Sequence, residues 1–140
     1  MRMLLIISLI SAFLLSAAAC GSKSGNEPGK VIKSGSAGNN LTVELSNTNG
    51  LLKHGNEEFY LTFKDPASKP VDVGAVALNF YMPAMGTMPA MKKAVTLTTT
   101  ATPGVYLGKT NLEMAGEWQA QISYEGPAGK GQATIPITAQ

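Results

Sequence analysis

The stretch Met82-Pro83-Ala84-Met85-Gly86-Thr87-Met88-Pro89-Ala90-Met91 places a thioether at every third residue, in two Met-Pro-Ala-Met blocks around a Gly-Thr pair. A thioether is a soft, neutral ligand that suits Cu(I). Methionine is also an adaptable apolar filler, over-used at promiscuous binding surfaces. Two roles therefore compete for this stretch: a soft-metal site and an apolar docking surface. Two further donors lie elsewhere, Met114 in Leu112-Glu113-Met114-Ala115-Gly116 and His54, the only histidine. Met82 continues the apolar face of its strand and reads equally as a cap on the core.

Pro83 and Pro89 exclude an ordinary helix through the stretch. A straight polyproline II path would align residues three apart but separate adjacent methionine Cα atoms by ~9 Å, wide for one ion. A turn at Gly86-Thr87 removes that difficulty. Glycine at the first central position suits a type II′ turn, which draws Met85 and Met88 together. Met82 and Met91 then stand nearer the body of the domain, opposite one another.

The elements that must hold these loops read as strands. Leu41, Val43 and Leu45 alternate with polar residues, as do Phe59, Leu61 and Phe63, and Val76, Leu78, Phe80 and Met82. Val95 and Leu97, Val105 and Leu107, then Trp118, Ala120, Ile122 and Tyr124, and finally Ala133, Ile135 and Ile137 continue the period of two. Such alternation marks half-buried strands. Turn dipeptides separate the runs, among them Asn49-Gly50, Asp65-Pro66, Pro103-Gly104 and Gly126-Pro127. About seven short strands at this spacing predict an all-β, immunoglobulin-like antiparallel sandwich. Pro136 predicts an edge position for the last strand. If neighbouring strands run antiparallel, the loops bearing His54, the four methionines and Met114 all fall at one end.

Upstream, Arg2, the apolar run from Met3 to Leu15 and the small residues Ser16 to Ala19 have the layout of a secretory signal over residues 1–19. Ala17-Ala18-Ala19-Cys20 resembles a bacterial lipobox, which predicts lipid on Cys20 and an extracytoplasmic, membrane-anchored chain, periplasm-facing if the cell is Gram-negative. Ordinary cleavage leaving a free thiol, and an uncleaved anchor, are the other readings. Residues 20–40, rich in Gly, Ser, Asn and Lys, read as a flexible tether. The folded domain is then expected over residues 41–140.

Several classes of function are disfavoured. Beyond Arg2, ten lysines face nine acids with no arginine, so no basic footprint points to nucleic acid. Cys20 is the only cysteine, and His54 has no evident catalytic partner, so a nucleophilic triad is not assembled. A blue-copper centre needs one Cys and two His. Glu57 and Glu58 are adjacent on a strand and point to opposite faces. The chain reads as a binding protein, not an enzyme.

Gly55-Asn56, Pro70 followed by an apolar strand ending in Met82-Pro83-x-Met85, Gly104-x-Tyr106 and Met114-Ala115-Gly116-x-Trp118 follow one another in an order that resembles the YtkA-like/FixH-like domain family. The resemblance covers roughly residues 41–137. It implies a small extracytoplasmic β-sandwich associated with copper handling, with assembly of copper-containing oxidases, or with metal efflux. It implies ligand roles for Met82, Met85 and Met114. Met88 and Met91 join them by spacing alone. FixH-like proteins carry a membrane helix where this chain has a lipoprotein-type start, and one histidine makes a histidine-rich Cu(II) site a poor fit. The combined expectation is a tethered protein that buffers or delivers Cu(I) through Met85 and Met88 as central ligands, with Met82 and Met91 supporting and Met114 or His54 completing the set. The alternative is a metal-free module whose methionine loop docks a membrane-protein partner.

Overall fold

The computed structural model describes residues 28–140. The signal segment and Cys20 lie outside the described residues. Nine strands run in order: β1 (Lys30–Gly38), β2 (Leu41–Asn47), β3 (Gly55–Lys64), β4 (Ala75–Met82), β5 (Met91–Ala94), β6 (Thr96–Thr99), β7 (Val105–Leu112), β8 (Gly116–Gly126) and β9 (Gly129–Ala139). They form two antiparallel sheets, β1-β2-β3-β7-β6 and β5-β4-β8-β9. The expected sandwich is present, with nine strands where the alternation gives about seven. β9, which carries Pro136, lies at an edge, as its missing amide requires.

The alternating residues form the core between the sheets. Val43, Leu45, Phe59, Leu61, Phe63, Phe80 and Ala120 are completely buried, and Trp118 and Ile122 nearly so. Edge-to-face aromatic pairs tie one sheet to the other: Phe59 to Phe80 at 5.8 Å and Phe63 to Tyr124 at 5.3 Å between ring centroids. Each such pair contributes about 0.5–1.5 kcal/mol beyond the area it buries.

Two departures from the sequence pattern matter for the site. The expected tether is corrected in its second half, because Lys30–Gly38 is β1 and pairs with β2 along its length. Its hairpin turns at Asn39 and Asn40, both at positive φ, as a type I′ turn needs. The folded domain therefore begins near Lys30 rather than Leu41. β1 escapes the hydrophobic pattern because, beyond Ile32, its inward positions are small: Ala37, and Gly35, where a Cβ would lie 3.0 Å from the Ile135 side chain of β9. The second departure is at Val95. The threonine-rich strand expected there is two strands, with β5 paired to β4 in one sheet and β6 paired to β7 in the other. The chain changes sheet at Val95, whose amide bonds the Leu78 carbonyl at 3.0 Å.

Register places the methionine and histidine loops at one end. Gly55 on β3 faces Leu112 on β7, Gly116 on β8 faces Ala139 on β9, and β4 runs out at Met82 beside them.

Candidate metal centre

The methionine stretch is a β-hairpin that projects from β4 and β5. Met82 pairs directly with Met91 at its base. Beyond Pro83 and Pro89 the strands meet again, where the Met85 amide bonds the Met88 carbonyl at 3.1 Å and the Met88 amide returns to Met85 at 2.9 Å. Such a doubly bonded antiparallel pair holds its two Cα atoms ~5.5 Å apart with both side chains on one face. Gly86 opens the two-residue turn with φ +56, while Thr87 keeps an ordinary negative φ. That combination is the type II′ geometry expected from Gly-Thr.

Met114 is delivered from the other side by the β7–β8 loop. The Trp118 indole Nε1–H donates to the Met114 carbonyl at 3.0 Å, which fixes the loop against a buried ring. An ion pair between Lys93 of β5 and Glu113 joins the base of the hairpin to this same loop. Neither contact is visible in the sequence; the Trp is four residues after the Met it restrains, but across a turn.

The two loops enclose a small cavity of about 70 Å³ lined by Met82, Pro83, Met85, Met88, Pro89, Met114, Ala115, Gly116 and Glu117. Four thioether side chains thus share one concave surface. Their exposures are graded. Met82 is 6% exposed and forms the floor, with its Cε methyl 3.3 Å from the position a Gly116 Cβ would take. Met114 is half-buried and packs on the core. Met88 is 39% and Met85 66% exposed, forming the outer wall.

Two sequence candidates stand apart. Met91 is opposite Met82, half-buried and packed on the core cluster, but does not line the cavity. His54 is exposed on the β2–β3 loop, beside the end of β9. Its amide donates to the Gln140 carbonyl at 2.8 Å, and its Nδ1 lies 3.2 Å from the same oxygen. His54 shares the end of the sandwich with the methionines but is not one of the residues lining their cavity.

Among the described residues, no group of three or more His, Cys, Asp or Glu is placed to hold a metal ion. The donors that recur around the cavity are the four methionines, whose thioethers are neutral and polarisable, with Glu117 the one acid among its lining residues. A carboxylate- or imidazole-preferring ion has no cluster here, whereas Cu(I) matches sulfur of this kind.

A model of the YtkA-like family matches residues 36–123. The match spans β2 to most of β8 and includes the whole methionine hairpin and Met114. No curated protein and no solved structure matches this chain.

Proposed function

This chain belongs to the YtkA-like family, and from that premise we propose that it is an extracytoplasmic, membrane-tethered protein that buffers or delivers copper, with Cu(I) as its cargo. The observation that supports this most is the convergence of Met82, Met85, Met88 and Met114 on one cavity from two separate loops. A core filler has no reason to stay exposed, yet Met85 and Met88 do. Met82 and Met114 would be the inner ligands, held by packing. Met85 and Met88 would be the outer pair through which the ion enters and leaves. Met91 would support the hairpin from beside Met82, and His54 would not be needed.

Copper held by neutral thioethers near the surface suits exchange better than storage. The partner would be a copper-dependent oxidase under assembly or an efflux component, and the tether would be lipid on Cys20. No catalytic step is assigned. An anaerobic Cu(I) competition titration of the chain from Gly21 onward tests the proposal. Competition by the native protein that is lost on replacing Met85 and Met88 by leucine supports it. No competition by the native protein refutes it.

The exposure of Met85 favours one second reading, in which the hairpin docks a membrane protein without metal. Leucine keeps the bulk and apolarity of methionine and removes the sulfur, so docking would survive the change that abolishes copper binding.

A further inference from the structure

The chain enters the sandwich from the methionine end. Lys30 pairs with Asn47, one residue beyond the Ser46–Tyr60 rung, and β1 runs from there away from the methionine loops. Gly29 lies hard against the end of β2: a Cβ there would sit 2.4 Å from the Asn47 carbonyl oxygen. The chain therefore enters at the methionine end, but at the β1–β9 side of the sandwich, across from the β4–β5 side that carries the hairpin. From the level of Lys30 the hairpin tip is about six strand residues further out, roughly 20 Å at ~3.3 Å per residue. Between Cys20 and Lys30 stand nine residues, Gly21 to Gly29, which span ~30 Å at most. An anchor at Cys20 can reach the plane of the tip with little slack. Reaching the opposite end would require the segment to double back along the sandwich and use most of its length.

The two ends also differ in chemistry. Residues 83–90 form an unbroken exposed run with no charge, with Lys92 at its base, Lys93 ion-paired to Glu113 and Glu117 beside the cavity. The opposite end presents Asp65, Lys69, Asp72, Glu125 and Lys130. An uncharged tip of exposed methionines and prolines fits the boundary between acyl chains and headgroups.

We infer that the methionine hairpin seats on the lipid bilayer to which the chain is tethered, with Pro83, Met85, Met88 and Pro89 at the headgroup level. The copper cavity then opens toward the membrane surface, and its exchange partner presents its own site there rather than in bulk solution. The inference rests on the lipid anchor in the proposed function but not on copper binding.

The test uses the full chain, lipidated at Cys20 and reconstituted in protein-free vesicles of phosphatidylethanolamine and phosphatidylglycerol. Lipidation blocks the native thiol, so Thr87→Cys at the tip and Thr102→Cys at the far end each take one fluorophore. Headgroup-nitroxide lipids should quench the Thr87 probe at least twofold more than the Thr102 probe. Met85→Asp/Met88→Asp, which places charge in the tip without touching the core, should bring the two to the same level. Equal quenching in the parent chain, with the protein floating on the vesicles, overturns the inference and leaves the anchor standing. A chain that fails to float and lacks lipid on Cys20 by mass overturns both. Shielding of the Thr87 probe only in native membranes, not in protein-free vesicles, assigns the surface to a protein instead. Docking without Cu(I) competition would refute the copper reading and uphold the bilayer seat.

Discussion

Replacing Met85 and Met88 together by leucine separates sulfur chemistry from packing more cleanly than any other change in this chain. Both side chains sit on the hairpin outside the core, 66% and 39% exposed. Leucine is near in volume and equally apolar. Surface substitutions of this kind usually change stability by no more than ~0.5 kcal/mol each, which for a domain of this size is a shift in Tm of roughly 2–4 °C. The backbone that closes the hairpin, Met85 to Met88, is untouched because its bonds are main-chain. If the proposed site holds copper, the effect on binding is of another order. Two of the four methionines lining the cavity lose their sulfur, leaving Met82 on the floor and Met114 on the wall. If each lost ligand costs at least a decade in affinity, the pair costs at least ~2.7 kcal/mol. Anaerobic titration against a chromophoric Cu(I) chelator reads that change directly, and thermal unfolding on the same samples reads stability. Unchanged competition by a variant with an unchanged Tm would refute the assignment of these sulfurs as ligands. A large fall in Tm would show that the hairpin is part of the core, contrary to its exposure.

Three further outcomes follow from the same geometry. Gly86→Ala meets no atom within 4 Å but forces an L-residue to φ +56; the turn should lose about 1–2 kcal/mol, read as weaker Cu(I) competition with a nearly unchanged core. Deleting residues through Asn40 should lower Tm far more than deleting residues through Pro28. The longer cut removes β1, its buried Ala37, and the Ala37 carbonyl that accepts the Tyr124 hydroxyl at 3.0 Å. Tyr106 is buried, and its hydroxyl donates to the Gly74 carbonyl at 2.9 Å. Burial first, and then the negative charge of Asp72, push its pKa above the ordinary value. A raised folded value means that the unfolded chain releases this proton first. The stabilisation is therefore complete below about pH 10, the unfolded value, and is lost as pH rises beyond it. Tyr106→Phe should flatten the alkaline limb of a stability–pH curve while costing about 1 kcal/mol at neutral pH for the missing hydrogen bond.

Local pattern determined most of the sandwich by itself. Period-two alternation marks every strand whose inward side chains are large, because a pleated strand with one buried face must place apolar residues at every second position. The type II′ turn at Gly86 and the Met82–Met91 pairing follow from a glycine at the first turn position and two flanking prolines, all local facts. Loop parity then brings His54, the hairpin and Met114 to one end. β1 was hidden from the hydrophobic pattern for a physical reason. Ile32 is the one large apolar residue on its half-buried face; the other inward positions are Ala37 and Gly35, where a Cβ would lie 3.0 Å from Ile135, so β1 shows no alternation of large residues. Its one local signal was Asn39-Asn40, two residues that tolerate positive φ in a type I′ turn. The change of sheet at Val95 had no local mark either, since strands of both sheets alternate alike.

What only the tertiary structure decided is which sulfurs meet. The sequence puts Met85 and Met88 at the tip and Met82 and Met91 at the base, but does not say which of them share a cavity. The fold sets Met82, Met85 and Met88 around a cavity with Met114, while Met91, paired beside Met82, packs on the core. His54 goes to the Gln140 carbonyl, because the β2–β3 loop lies along β9 rather than along the hairpin. Two contacts carry that choice: the Trp118 indole on the Met114 carbonyl, across the turn between β7 and β8, and the longer-range Lys93–Glu113 ion pair between hairpin base and loop. Neither periodicity nor spacing encodes them, since each depends on how two sheets stack and on which edge a loop crosses.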